Sequence, residues 1–235
     1  MRFLMIGAMV GVLGLGIQSA ARADILLDFN IASPTSGTIS YAGGNAPLIG
    51  SGISVDSVVG LNTAPLNNNV VRNCLGCFLN FTTGGLTGVT PTQWTFGNGG
   101  SITMTGTVDL NNNGVIDGTD VIGTAANPLM YGYFAGASPA IMTFGGTFKI
   151  AGAMFGIGMT PGLTSYYGLA PTPPNYIGNF NISFSAPGIP PGAFKSTSVH
   201  SGNITAETPE PMSIVLLGTV LLCCAAILRK QRKRA

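Results

Sequence analysis

Short runs of β-branched and aromatic residues, closed by glycine, proline or asparagine, recur through the middle of the chain and restrict its fold most. Turn residues follow nearly every run, as at Gly43-Gly44-Asn45. Many short strands separated by turn signals are typical of a β-sandwich or jelly roll. No soluble stretch keeps a 3.6-residue apolar period with helix caps, so we predict an all-β domain. The predicted strands span residues 25–29, 38–41, 53–59, 78–82, 94–96, 102–108, 141–144, 147–150 and 176–184.

The C-terminal end has three parts. Pro209-Glu210-Pro211 is stiff, because each proline fixes its own φ and pushes the preceding residue into an extended conformation. Residues 212–228 contain no charge and predict a transmembrane helix of about 25 Å, close to the thickness of a membrane core. The basic residues within 229–235 would keep the C-terminus in the cytoplasm. A plain single-span anchor is the alternative interpretation.

In this order and position, the three parts closely resemble the PEP-CTERM sorting domain of exported proteins in Gram-negative bacteria, here over residues 207–235. The resemblance implies an exosortase-type membrane protease that cuts near Pro209-Glu210-Pro211. It also implies a transient stay in the inner membrane and an association with exopolysaccharide and biofilm. We therefore expect the protein to end at the cell surface or outside the cell.

The N-terminal end predicts a secretory signal peptide over residues 1–23. A short positive region containing Arg2 precedes an apolar run, and Ala21 and Ala23 form a small-x-small cleavage site. A retained N-terminal anchor is the alternative. Removal of both ends leaves residues 24–206 as one predicted ectodomain, which is long enough for a sizeable core.

The charge of the chain changes sign once the ends are set aside. The whole chain is formally +2, but all 8 of its carboxylates lie between residues 24 and 211. Only Arg72, Lys149 and Lys195 oppose them there, so that stretch has a net charge of −5. Nucleic acid is an unfavourable partner for such a surface, since no basic patch is available to contact phosphates.

Cys74 and Cys77 form a single C-x-x-C motif in the predicted ectodomain. Such a motif is consistent with a redox site, half of a metal site or a small-loop disulfide. The chain has one histidine and no second C-x-x-C, which weakens a four-ligand zinc site. In an oxidising compartment we predict a disulfide between Cys74 and Cys77.

Residues 109–120 match the pattern of a calcium-binding loop, in which oxygen side chains at positions 1, 3, 5, 9 and 12 surround a hard cation. Gly114 at position 6 permits the sharp turn, and Ile116 at position 8 is expected to point into the core. The loop resembles the dockerin type, but only one copy is present. A glycine- and asparagine-rich hairpin without a metal is the alternative. The predicted calcium ligands are Asp109, Asn111, Asn113, the Val115 carbonyl, Asp117 and Asp120.

Catalysis has little support in the sequence. His200 is the only histidine, and no acid or oxyanion hole of a serine hydrolase is recognisable around it. We therefore predict a structural or adhesive matrix protein that is not an enzyme, with a carbohydrate-binding module as the alternative and a secreted hydrolase less favoured. The aromatic candidates for sugar stacking, all of which could instead pack in the core, are Trp94, Tyr41, Tyr166, Tyr167 and Tyr176.

Overall fold

The computed structural model describes residues 24–63, 65–142, 146–170 and 176–207. The predicted signal peptide, the Pro-Glu-Pro segment and the predicted transmembrane helix lie outside these residues. Among the described residues, no helix has the length and apolar character needed to cross a membrane.

Strands account for most of the described residues, which confirms the predicted all-β class. One short helix, α1 (Pro161–Tyr166), interrupts them. The strands are β1 (Ile25–Ile31), β2 (Thr38–Tyr41), β3 (Pro47–Gly60), β4 (Val71–Thr90), β5 (Gln93–Phe96), β6 (Gly99–Asp109), β7 (Val121–Gly123), β8 (Met130–Phe134), β9 (Ser138–Met142), β10 (Thr147–Met159), β11 (Tyr176–Ser185), β12 (Phe194–Lys195) and β13 (Ser198–Glu207).

Eight strands form a closed antiparallel sheet. Their hydrogen-bonded order is β1, β3, β4, β6, β8, β10, β11 and β13, and β13 pairs again with β1. Ile25 faces Glu207 in that last pairing, and Phe29 faces Ile204. The first and last strands of the described domain are therefore neighbours.

This closed sheet differs from the two stacked sheets of the expected sandwich or jelly roll. The reason lies in the long strands, which pair with different neighbours along their length. The first half of β3 pairs with β2 and its end pairs with β1, while the far end of β4 pairs with β5. The register of β3 on β4 shifts at three places. Such bulges bend strands and increase their twist, which favours closure of one sheet.

The core fills the inside of the closed sheet with aliphatic and aromatic side chains. Alternation is clearest in β11, where every second residue is buried from Tyr176 to Phe184. Phe81 packs edge-on against Phe134 and Phe180, at ring-centroid distances of 6.2 and 5.1 Å. This interior contact between β4, β8 and β11 holds opposite sides of the sheet together.

Candidate functional site

The predicted calcium loop is the connection of a hairpin between β6 and β7. Asp109 is the last residue of β6, and Val121 begins β7 directly after Asp120. Both strands pair beside the loop, with Val108 opposite Val121. Gly114 has φ +77°, so the sharp turn predicted at position 6 is present. Strands on both sides distinguish this loop from the helix-flanked loops of dockerins.

Two carboxylates close the base of the loop. The fully buried Asp109 accepts hydrogen bonds from the backbone N–H groups of Asn113 (3.2 Å) and Gly114 (2.7 Å). One carboxylate oxygen of Asp120 accepts the N–H of Leu110 at 3.0 Å. A buried carboxylate is stable only when donors or a cation compensate it. The loop itself contains no lysine or arginine.

At the open side of the loop, several side chains are hydrogen-bonded to Asp117. It accepts hydrogen bonds from the Thr119 hydroxyl (2.6 Å) and from the amide groups of Asn113 (3.0 Å) and Asn111 (3.3 Å). Its own N–H donates to Asp120 at 2.9 Å. The Thr119 hydroxyl, followed by the Thr119 N–H and the asparagine amides, lowers the pKa of Asp117 to about 2. Asp117 is therefore ionised across the neutral and mildly acidic range.

The five predicted side-chain ligands thus lie in one hydrogen-bonded network. Each of these side chains carries an oxygen atom, which is the ligand atom that calcium prefers. In the described part of the chain, however, no three Asp, Glu, His or Cys side chains are grouped closely enough to hold a metal ion. The amide groups of Asn111 and Asn113 donate hydrogen bonds to the Asp117 carboxylate instead. The side-chain oxygens of the predicted ligands suit a hard cation. In the structure, the loop is closed by its own hydrogen bonds.

The expectation that Ile116 points into the core is wrong. Its side chain is 55% exposed, and that of Val115 is 61% exposed. Because β7 returns directly beside β6, the tip of the loop projects beyond the sheet.

The loop is attached to the beginning of β4. The side-chain oxygen of Asn112 accepts the Asn73 N–H at 3.0 Å, and its amide group donates to the Val71 carbonyl at 3.2 Å. Asn73 lies opposite Asp109 in the sheet, and Cys74 lies opposite Val108. The loop and the C-x-x-C motif are therefore neighbours.

Cys74 and Cys77 are free thiols in the structure, so the predicted disulfide is not formed there. Residues three apart on a regular strand point to opposite faces. A register shift between Leu75 and Phe78 adds a residue to β4 and turns both cysteines towards the core. The hydrogen bond between the two thiols, followed by burial, raises the pKa of Cys74. The Cys74 thiol therefore stays protonated at neutral pH, and the two sulfur groups lie side by side.

The aromatic residues considered for sugar stacking belong mainly to the core. Trp94 and Tyr167 are completely buried, and Tyr41 and Tyr176 are nearly so. Tyr166 accepts a hydrogen bond from Arg72 at 2.6 Å. None of the first four is available to a ligand at the surface.

Two other tyrosines, which were not among the predicted stacking residues, are exposed. Tyr131 is 49% and Tyr133 is 60% exposed, and both lie on β8. Buried Met130 and Phe134 flank them, as strand alternation requires. The signal was present in the sequence Met130-Tyr-Gly-Tyr-Phe134, but consecutive aromatic residues at 133 and 134 conceal which of them faces outwards.

A serine–histidine contact also emerges from the fold. The Ser185 hydroxyl lies 2.8 Å from the Nε2 atom of His200. Ser185 ends β11, and His200 lies on the neighbouring β13. No carboxylate in the described ranges is hydrogen-bonded to this histidine, so the contact lacks the acid that orients the imidazole in a triad.

The remaining predicted site residues, Ala21, Ala23 and Pro209-Glu210-Pro211, lie outside the described residues. Comparison of the chain with protein-family models, with curated proteins and with solved structures found no match.

Proposed function

We propose that this is an exported protein, held transiently in the inner membrane by residues 212–228 and then processed to the cell surface or extracellular matrix. There it has a structural or adhesive role within polysaccharide. One observation carries the proposal, namely the order of Pro209-Glu210-Pro211, an uncharged run and a basic cluster. Such a span with a basic flank orients the preceding domain away from the cytoplasm.

The described domain supports this proposal by its boundaries. Its strands begin at Ile25 and end at Glu207, and these two residues face each other in the sheet. The two proposed processing positions adjoin them in sequence, after Ala23 and near Pro209. Cleavage at both positions would release the sheet without removing any of the strands in the described ranges.

Calcium belongs to the proposal as a stabilising ion of the loop at residues 109–120. The residues that would hold it are Asp109, Asn111, Asn113, the Val115 carbonyl, Asp117 and Asp120. The ion would supply positive charge to three carboxylates in a loop without basic residues. Its role would be structural, because the loop ties β6, β7 and the beginning of β4 together.

A carbohydrate-binding module is the second candidate, and the exposure of Tyr131 and Tyr133 favours it. Tyrosine combines a large apolar ring with a polar tip and is suited to wet binding surfaces. A hydrolase receives less support, since Ser185 and His200 lack an acid partner in the described ranges.

The sorting proposal is tested by replacing Pro209, Glu210 and Pro211 with alanine in the full-length chain. We expect the unaltered protein to accumulate outside the inner membrane in a form that has lost its C-terminus. The variant should remain in the inner-membrane fraction and keep residues 212–235, because the stiff segment that the protease would recognise is gone. Fractionation measures where each protein accumulates, and mass spectrometry of the C-terminus measures whether residues 212–235 are still present.

The matched control replaces Pro171 and Pro173 with alanine, which removes two prolines from another proline-rich segment. This control should be processed like the unaltered protein. Normal processing of the Pro-Glu-Pro variant, or an unaltered protein that keeps its C-terminus in the membrane, would contradict the proposal.

A further inference from the structure

The outer face of β8 presents two tyrosine rings in one direction. Tyr131 and Tyr133 are two residues apart on the strand, so they project from the same face about 7 Å apart along it. About half or more of each side chain is in contact with solvent. Large aromatic side chains that are exposed side by side on one strand are typical of binding surfaces.

Two glycines of the neighbouring strand seat the rings. Gly158 pairs with Tyr131 and Gly156 pairs with Tyr133. A Cβ atom added to Gly158 would lie 2.4 Å from the Tyr131 ring, and one added to Gly156 would lie 3.3 Å from the Tyr133 ring. Each ring therefore lies over the backbone of β10, and a side chain at position 158 would displace the Tyr131 ring. This support fixes the orientation of the rings before any ligand arrives, which lowers the cost of binding.

Hydroxyl and amide groups continue the face on the other side of β8. Thr103 of β6 pairs with Tyr131, and Asn80 of β4 pairs with Thr103. A shallow depression next to them is lined by Ser101, Thr103, Asn80 and Thr82, among others. None of these side chains is charged. The face thus combines two aromatic rings with neutral hydrogen-bonding groups.

This combination distinguishes between possible ligands. Single-stranded nucleic acid also stacks on aromatic rings, but it needs a positively charged groove along its backbone. Anionic polymers need the same compensation, and the stretch from residue 24 to 211 has a net charge of −5. A sugar ring has an apolar C–H face, which packs against an aromatic ring, and an edge of hydroxyls, which binds neutral polar groups.

We propose that Tyr131 and Tyr133, supported by Gly158 and Gly156 and flanked by Thr103 and Asn80, bind successive sugar rings of a neutral polysaccharide. Two rings in line fit a chain better than a single sugar. The inference deepens the proposed function, on which it rests for the presence of polysaccharide around the protein.

Affinity electrophoresis tests the inference. The full-length chain, in a mild detergent without a sugar head group, is run through gels that contain hydroxyethyl cellulose, galactomannan, dextran or alginate. We expect retardation by at least one of the three neutral polymers and none by alginate. Tyr131→Ala combined with Tyr133→Ala should weaken binding at least tenfold, while Tyr131→Phe combined with Tyr133→Phe should retain most of it, because the rings remain.

Two further variants separate binding from folding. Gly158→Val should weaken binding by displacing the Tyr131 ring, although both tyrosines are still present. Ile189→Ala removes an apolar side chain that is 69% exposed elsewhere on the surface and should leave binding unchanged. Equal melting temperatures of the alanine and phenylalanine pairs would exclude unfolding as the cause of lost binding.

Undiminished retardation of the alanine pair would overturn the inference, as would retardation by alginate alone. A protein that is exported and processed normally but is retarded by none of the three neutral polymers would also overturn it, while leaving the proposed function intact. Conversely, retardation by a neutral polymer that depends on the two tyrosines would support the inference even if processing at Pro209-Glu210-Pro211 failed.

Discussion

At the scale of single residues, the calcium-like loop was the best-defined chemical feature of the sequence. Its side chains at positions 1, 3, 5, 9 and 12 do join one network, and Gly114 takes the expected positive φ. The orientation of Ile116 could not be obtained in this way, because it depends on whether a strand or a helix follows the loop. Here β7 follows, and Ile116 faces solvent.

Calcium at millimolar concentration should raise the melting temperature of the full-length protein. Asp117→Asn should remove most of the gain, since it takes away the carboxylate at the open side of the loop. A hundredfold excess over the dissociation constant stabilises a folded state by about 2.7 kcal/mol. Asp56→Asn, which removes a carboxylate outside the loop, should leave the gain unchanged. Differential scanning calorimetry with calcium and with chelator measures the shifts.

The pH dependence of this gain follows from Asp117. Its folded pKa, about 2, lies below the ordinary value of 3.8, so its hydrogen bonds stabilise the fold above pH 3.8 and are lost as the pH falls through about 2. Asp117 is therefore available to calcium at both pH 7 and pH 5. An equal rise in melting temperature with the Asp117→Asn variant, or no rise for the unaltered protein at pH 7, would contradict the calcium proposal.

At the scale of elements, the sequence located most strands but not their lengths. The predicted strand at 38–41 has the same bounds as β2, and the run at 78–82 is only the middle of β4. The predicted run ends at residue 82, but β4 continues through Gly84 and Gly85 because strands pair on both of its sides. Neighbours that are distant in the sequence thus overruled the local signal.

β12 is the shortest of the described strands, and one of its two side chains packs in the core. Phe194 is buried, and its ring centroid lies 4.9 Å from Trp94, 5.5 Å from Phe148 and 5.8 Å from Phe184. Among the described strands, β12 pairs only with β2. The position of β12 therefore depends on the packing of the Phe194 ring. No local sequence pattern predicted this packing.

Phe194→Ala should lower the free energy of unfolding by about 3–5 kcal/mol, since it leaves a cavity among aromatic rings. Phe78→Ala provides the matched control, because that ring is 43% exposed and its loss should cost less than about 1 kcal/mol. Urea unfolding followed by tryptophan fluorescence measures both, and Trp94 reports directly on the cluster. Similar losses for the two variants would show that Phe194 does not anchor β12.

At the scale of the whole molecule, closure was the property that the sequence did not reveal. Alternation and turn signals predict strands and their inner faces, but they do not state which strand pairs with which. The pairing of β1 with β13 joins residues at opposite ends of the domain, with Phe29 opposite Ile204 and both fully buried. A sandwich and a closed sheet require the same local patterns, so the choice between them rests on these distant contacts.

Closure makes a distinct prediction for hydrogen exchange. Chain ends usually fray, but β1 and β13 each have a neighbour on both sides, so their amides should exchange only through global unfolding. Within the described ranges, β7 and β12 each pair with one strand and should exchange faster, through local opening. Phe29→Ala should lower protection in β1 and β13 by the same free energy as its effect on global unfolding. Exchange of β1 and β13 as fast as that of β7, measured by mass spectrometry under native conditions, would mean that the sheet opens at this seam.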